Sequence, residues 1–137
     1  MSGASFLLVE PEPSGVPRPG RRREGSEYLL DTWLGDDLVR AHPAILVTKC
    51  VRDALEKLPD ATGFSLVRAR VKKSRFFRAH NRWRLLPAFW SVEVQGRAGR
   101  SDMGLTVESG LVVSERVASV LLQCRVRQAT FRQYVGK

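Results

Sequence analysis

The chain has 137 residues, 43% of them apolar, which is enough for one domain with a core and too little to expect two. Its net charge of +9 is unevenly spread: residues 1–43 hold seven acids against five arginines, for −2, whereas residues 44–137 hold seven acids against eighteen lysines and arginines, for +11. No run approaches eighteen apolar residues and the opening MSGASFLLVEPEP has no basic leader, so no membrane span or export signal is expected, and the reading is a cytoplasmic protein with acidic partners.

Ser5–Val9 is a short apolar run, predicted as an edge strand. Residues 11–25, PEPSGVPRPGRRREG, hold four prolines and three glycines and are predicted to be a flexible surface loop within the domain. Tyr28, Leu29, Leu30, Trp33, Leu34 and Leu38 then supply apolar mass. Gly35-Asp36-Asp37 interrupts it as a turn or helix-cap signal, with a short helix expected before Pro43. Ala44–Val47 is a four-residue strand and Thr48 its N-cap. Val51, Ala54, Leu55 and Leu58 follow at helical spacing.

From Gly63 the period changes to two. Ser65, Val67, Ala69 and Val71 fall on one side, Arg68, Arg70 and Lys72 on the other, which predicts a half-buried strand with an exposed basic stripe. Ser74 is placed to cap a short helix over SRFFRAHN, a strand follows in AFWSVEVQG, and the glycines of GRAGRSDMG predict a loop. A strand over 110–113, a helix over 114–123 and a last strand within 125–135 complete the chain. At an offset of 66 residues, Val47 meets Val113, Thr48 meets Ser114, Val51 meets Val117 and Leu55 meets Leu121. The expected fold is α+β, a single mostly antiparallel sheet with helices packed on one face, built around two strand, cap and helix units.

Catalysis needs a poised acid, base or nucleophile. The two histidines, His42 and His80, have no ligand or triad spacing, and Walker, HExxH, GxSxG and GxGxxG patterns are missing. Asp31, Asp36 and Asp37 form a carboxylate grouping that reads first as turn and cap residues; an enzyme built on them is a third reading. Cys50 and Cys124 are far apart and outside any CxxC pair, so they are expected as small buried hydrophobes in a reducing compartment. No cofactor and no metal is expected.

Residues 68–84, RARVKKSRFFRAHNRWR, carry eight lysines and arginines and no acid, with Phe76, Phe77 and Trp83 interleaved. Cations neutralise phosphates and aromatics stack on unpaired bases, so a nucleic-acid-binding module is one reading of this segment. The other is that the aromatics anchor the core and the charges form a solvated face.

Several strings in order, DTWLGDD from Asp31, P-x-I-L-V-T up to Thr48, T-G-F at Thr62, LPAFWSVEVQGRAGRSDMGL from Leu86 and LVVSERV from Leu111, resemble a family of small bacterial immunity-type proteins of polymorphic toxin systems, found in myxobacteria and other soil bacteria. The resemblance spans about residues 28–134. It implies a protein-binding domain without catalysis that neutralises a cognate toxin. The strong basic charge departs from inhibitors that mimic nucleic acid and implies an acidic partner surface. The residues expected to bind are Trp33, Asp36, Asp37, Arg75, Phe76, Phe77, Arg78, Trp83, Arg97, Arg100 and Asp102, with nucleic acid as the alternative partner.

Overall fold

A computed structural model describes residues 5–17 and 27–135 of the protein. Its strands are β1 (Phe6–Glu10), β2 (Glu12–Pro17), β3 (Glu27–Leu30), β4 (Leu38–Ala41), β5 (Ala44–Val47), β6 (Phe64–Lys73), β7 (Phe89–Val94), β8 (Met103–Leu105), β9 (Leu111–Ser114) and β10 (Thr130–Gln133). The helices are α1 (Lys49–Glu56), α2 (Arg75–Asn81) and α3 (Glu115–Gln123).

Six strands close into a barrel in the order β2-β3-β6-β7-β5-β4, and four form a separate antiparallel sheet in the order β10-β1-β9-β8. Two of the barrel pairings, β2 with β4 and β3 with β6, are parallel. The expected α+β fold with a single sheet and helices on one face is therefore incorrect: the protein is mostly β, with two sheets.

The physical reason lies in strands that are apolar on both faces. In β5, Leu46 points into the barrel core while Ile45 and Val47 point out of it, and all three are buried. In β4, Val39 and Ala41 face in and Leu38 faces out. Alternation tells which face of a strand is buried only when the other is wet. Here a barrel filled by Tyr28, Leu30, Val39, Ala41, Leu46, Ala69 and Phe89 is itself coated by a second core, so both faces count. That outer core joins Leu38, Ile45, Val47 and Val92 to Val9, Leu111 and Val113 of the open sheet and to α1 and α3. β6 runs from one core to the other: Phe64 and Leu66 pack on the outer core, Ala69 and Val71 on the inner, and Val67, expected inside, is exposed.

Other local expectations change for related reasons. β1 is central in its sheet, between β10 and β9, and is not an edge. Residues 12–17 of the expected proline-rich loop form β2; residues 18–25 lie outside the described residues. Gly15 makes this strand feasible, because a Cβ there would meet the Leu29 carbonyl oxygen at 1.9 Å. The segment after Asp37 is a strand and not a helix, since β4 and β5 form a hairpin.

The two strand, cap and helix units are real and longer than the sequence repeat. Each is a hairpin followed by a helix, β4-β5-α1 and β8-β9-α3. One hairpin belongs to the barrel and the other to the open sheet, while Val51, Leu55, Val117 and Leu121 meet in the same outer core. Ser114 caps α3 by accepting the Val117 N–H at 3.3 Å. Thr48 makes no such bond and donates its hydroxyl to Asp37 at 2.8 Å instead.

Candidate partner-binding surface

At Ser74 the chain leaves the barrel wall, and three contacts fix how it leaves. The Ser74 N–H donates to the Leu30 carbonyl at 2.9 Å, tying the turn to β3. Its hydroxyl accepts the Phe77 N–H at 3.1 Å, which caps α2. Phe77 is fully buried and fills the barrel core among Leu30, Val39 and Phe89. Pinned on that ring, the short helix turns Arg75, Phe76 and Arg78 outward, all exposed.

The exposed face continues beyond the helix. The Phe76 and His80 rings stack with centroids 4.1 Å apart, and the Arg82 guanidinium lies 4.7 Å from the Trp83 ring centroid. Trp83 is 82% exposed and Leu85 is 85% exposed. The Lys73 ammonium donates to the Arg82 carbonyl at 2.7 Å, and the Arg84 N–H donates to the Asn81 carbonyl at 3.0 Å, so this arm is held to β6 and to α2. Arg84 lies over Trp33 at 4.9 Å, and Trp33 in turn meets Phe89 edge-on and donates its indole N–H to the Asp36 carbonyl at 2.8 Å. Trp33 is thus a half-buried strut under the arm. Beside it, Arg68, Arg70 and Lys72 line a groove of about 450 Å³ floored by Ala69, Pro87 and Phe89.

The structure therefore gathers Arg75, Phe76, Arg78 and Trp83 into one basic and aromatic arm and places the other expected residues elsewhere. Phe77 points into the core. Asp36 is 1% exposed, and its two oxygens accept the N–H groups of Arg127 and Gln128 at 2.9 and 2.7 Å. Asp37 accepts from Thr48 and from the Arg125 N–H. These two acids latch the segment before β10 to the barrel. Gly35, at φ +105° with Arg84 and Arg125 close by, supplies the left-handed turn that aims them. Asp102 accepts from the Ser114 hydroxyl, the Thr62 N–H and Arg116, and these bonds, Arg116 first, hold its carboxyl well below the usual carboxylate range. Arg97 and Arg100 are exposed in the turn before β8, where Arg100 and Asp102 border α3 and not α2.

The chain matches no family model, no curated protein and no solved structure. None of its helices, among the described residues, is long and apolar enough to cross a membrane.

Leu85 was not among the expected contact residues. The signal for it is local: Leu85 and Leu86 stand together before Pro87, and only Leu86 packs on the barrel core, which leaves its neighbour outside. Cys50 and Cys124, expected as separate buried thiols, are joined in a disulfide with Cα atoms 6.1 Å apart. Their sequence separation of 74 hid a pairing that only the packing of α1 on α3 creates.

Proposed function

We propose that the chain is a non-catalytic protein-binding domain of the immunity type, which holds a cognate toxin by pressing the α2 arm against an acidic face of it. The observation that carries this reading is the pair Trp83 and Leu85, more than four-fifths exposed, with the Arg82 guanidinium over the Trp83 ring and Arg75, Arg78 and Arg84 close by in sequence. Trp and Arg are the residue types enriched in protein interface hot spots, and here an exposed Trp carries an Arg on its ring. The eight cations and no acids of residues 68–84 favour an acidic partner and speed its encounter.

The test is co-purification with the product of an adjacent gene at moderate salt, together with growth protection against it. Trp83→Ala and Arg78→Glu are expected to abolish both. A neighbouring product that neither binds nor is neutralised by the wild-type chain overturns the reading.

A second reading is supported by the groove lined by Arg68, Arg70 and Lys72 and by the exposed, stacked Phe76 and His80 rings of the following helix. It is the layout of a single-strand nucleic-acid surface. That reading requires retardation of single-stranded RNA or DNA at low salt with affinity falling steeply as salt rises. No retardation at low salt discards it.

A further inference from the structure

The start of α1 and the end of α3 meet at a set of three ligand-type groups. Cys50 is the second residue of α1, Cys124 follows the last residue of α3, and Asp37 arrives from the turn before β4. The two sulfurs and an Asp37 carboxylate oxygen all lie within 4.8 Å of one another. Cys50 is exposed, Cys124 and Asp37 half-buried, so the set is open to solvent on one side. The aspartate is oriented from behind: the Thr48 hydroxyl donates to Oδ1 at 2.8 Å and the Arg125 N–H to Oδ2 at 2.7 Å. Each oxygen keeps a further lone pair.

We propose that, in the reduced chain, Cys50, Cys124 and Asp37 form a three-ligand site for Zn²⁺ or a divalent cation of similar softness, with water as the fourth ligand. A dithiol reductant supplies two electrons and two protons, becoming a disulfide as the Cys50–Cys124 bond opens to two thiols. The metal then displaces both thiol protons to solvent and forms two bonds to sulfur and one to a carboxylate oxygen. Bonds of about 2.3 Å to sulfur and about 2.1 Å to oxygen in a tetrahedron put the donor atoms roughly 3.5–3.8 Å apart. In the disulfide the two sulfurs are bonded, so on reduction they must part to about 3.8 Å, a spacing that Cα atoms 6.1 Å apart can span, while an Asp37 oxygen already lies within 4.8 Å of both. Two thiolates select a soft cation over Mg²⁺ or Ca²⁺. Thr48 and the Arg125 backbone act as the outer hydrogen bonds that orient the ligating carboxylate. Oxidation to the disulfide removes two of the three ligands, so the site exists only in the reduced chain.

Co²⁺ titration of the full chain, reduced with a phosphine under nitrogen, is the direct probe. The expected result is one thiolate-to-cobalt charge-transfer band per chain, saturating at one equivalent and bleached by Zn²⁺, with no band in the oxidised chain. Cys50→Ser and Cys124→Ser are each expected to abolish it. Asp37→Asn should weaken Co²⁺ binding, and Thr48→Ala, which leaves all three ligands in place, should weaken it about 10–100-fold. The proposal is overturned by absence of the band in the reduced chain, by a band that Asp37→Asn leaves unchanged in affinity, or by loss of the native far-ultraviolet circular dichroism on reduction.

Discussion

The Thr48 hydroxyl donates to the Asp37 carboxylate at 2.8 Å, and at the corresponding place in the second unit the Ser114 hydroxyl donates to Asp102 at 2.7 Å. In both, the backbone doubles the contact: the Thr48 N–H donates to the Asp37 carbonyl and the Ser114 N–H to the Asp102 carbonyl. Each aspartate stands just before the first strand of its hairpin and each hydroxyl at the start of the helix, so one side chain staples hairpin to helix. Asp102 carries more of its structure than Asp37, since it also binds Thr62 and Arg116. Asp102→Ala is expected to lower stability by about 2–3 kcal/mol, the scale of hydrogen bonds to a charged group. Arg116→Ala, which removes one solvent-screened ion-pair partner, should cost clearly less. Urea unfolding midpoints compare the two; equal losses would mean that the ion pair, and not the staple, matters.

The same carboxyl sets the acid side of the stability curve. Its hydrogen bonds to Arg116, and after them to Ser114 and Thr62, lower its pKa from the ordinary 3.8. A carboxylate favoured in the folded state adds stability that is fully present above that ordinary value and is lost as pH falls from it toward the folded value. Wild type is therefore expected to lose stability below about pH 4 more steeply than Asp102→Asn does. Thermal midpoints measured at half-unit steps from pH 2 to 6 would show it.

Glu12 behaves in the opposite sense. It is 3% exposed, accepts the Leu34 N–H at 2.9 Å through one oxygen and leaves the other buried, beside Ser14, with no well-formed hydrogen bond among the described residues. Desolvation, which outweighs the Leu34 bond, raises its pKa above 4.5, with the nearby Asp36 charge adding to the rise. The fold prefers the protonated form, so that contribution is complete below pH 4.5 and disappears as pH climbs through the folded value. Glu12→Gln keeps the acceptor for Leu34 and removes the charge. It is expected to raise stability at pH 7 and to leave it unchanged at pH 3, as read from urea unfolding midpoints at the two pH values.

How far the sequence could be read depends on whether a residue's partner is near in sequence. Ser74 and Ser114 announce their helices because an N-cap bonds three residues on, and both caps form. Val51, Leu55, Val117 and Leu121 were legible by helical spacing, and all four are core. Asp36, by contrast, binds residues 91 and 92 positions away, and Cys50 pairs 74 positions away. Nothing local distinguishes an aspartate that latches a distant backbone from one that caps a turn. The barrel was hidden for a similar reason: β2 closes it by pairing Glu12, Pro13 and Gly15 with β4, in a proline-rich stretch without an apolar pattern of its own. Of the residues expected to bind, those of the stretch 75–83 are exposed as their basic composition suggests, except Phe77, and Phe76 and Phe77 could not be told apart without knowing which of the pair plugs the barrel.

That adjacent pair gives a clean separation of stability from recognition. Phe77 is fully buried in the barrel, so Phe77→Ala is expected to cost about 3–5 kcal/mol. Phe76 is 52% exposed and stacks on the exposed His80 ring, so Phe76→Ala should cost less than about 1 kcal/mol. Guanidinium unfolding of the two variants checks the difference, and a Phe76→Ala loss as large as that of Phe77→Ala would place both rings in the core.

Trp83 and Leu85 extend the argument to residues that do nothing for the folded chain alone. At 82% and 85% exposure they bury little area, and the Arg82 contact over Trp83 is a surface interaction. Trp83→Ser with Leu85→Ser should therefore leave the unfolding midpoint within about 0.5 kcal/mol of wild type. Both side chains nevertheless stay exposed and available to a partner. The double variant is expected to lose any partner held by the α2 arm, as read by co-purification. A large fall in stability would show instead that these side chains fold back on the barrel, and would remove the arm from consideration as a contact surface.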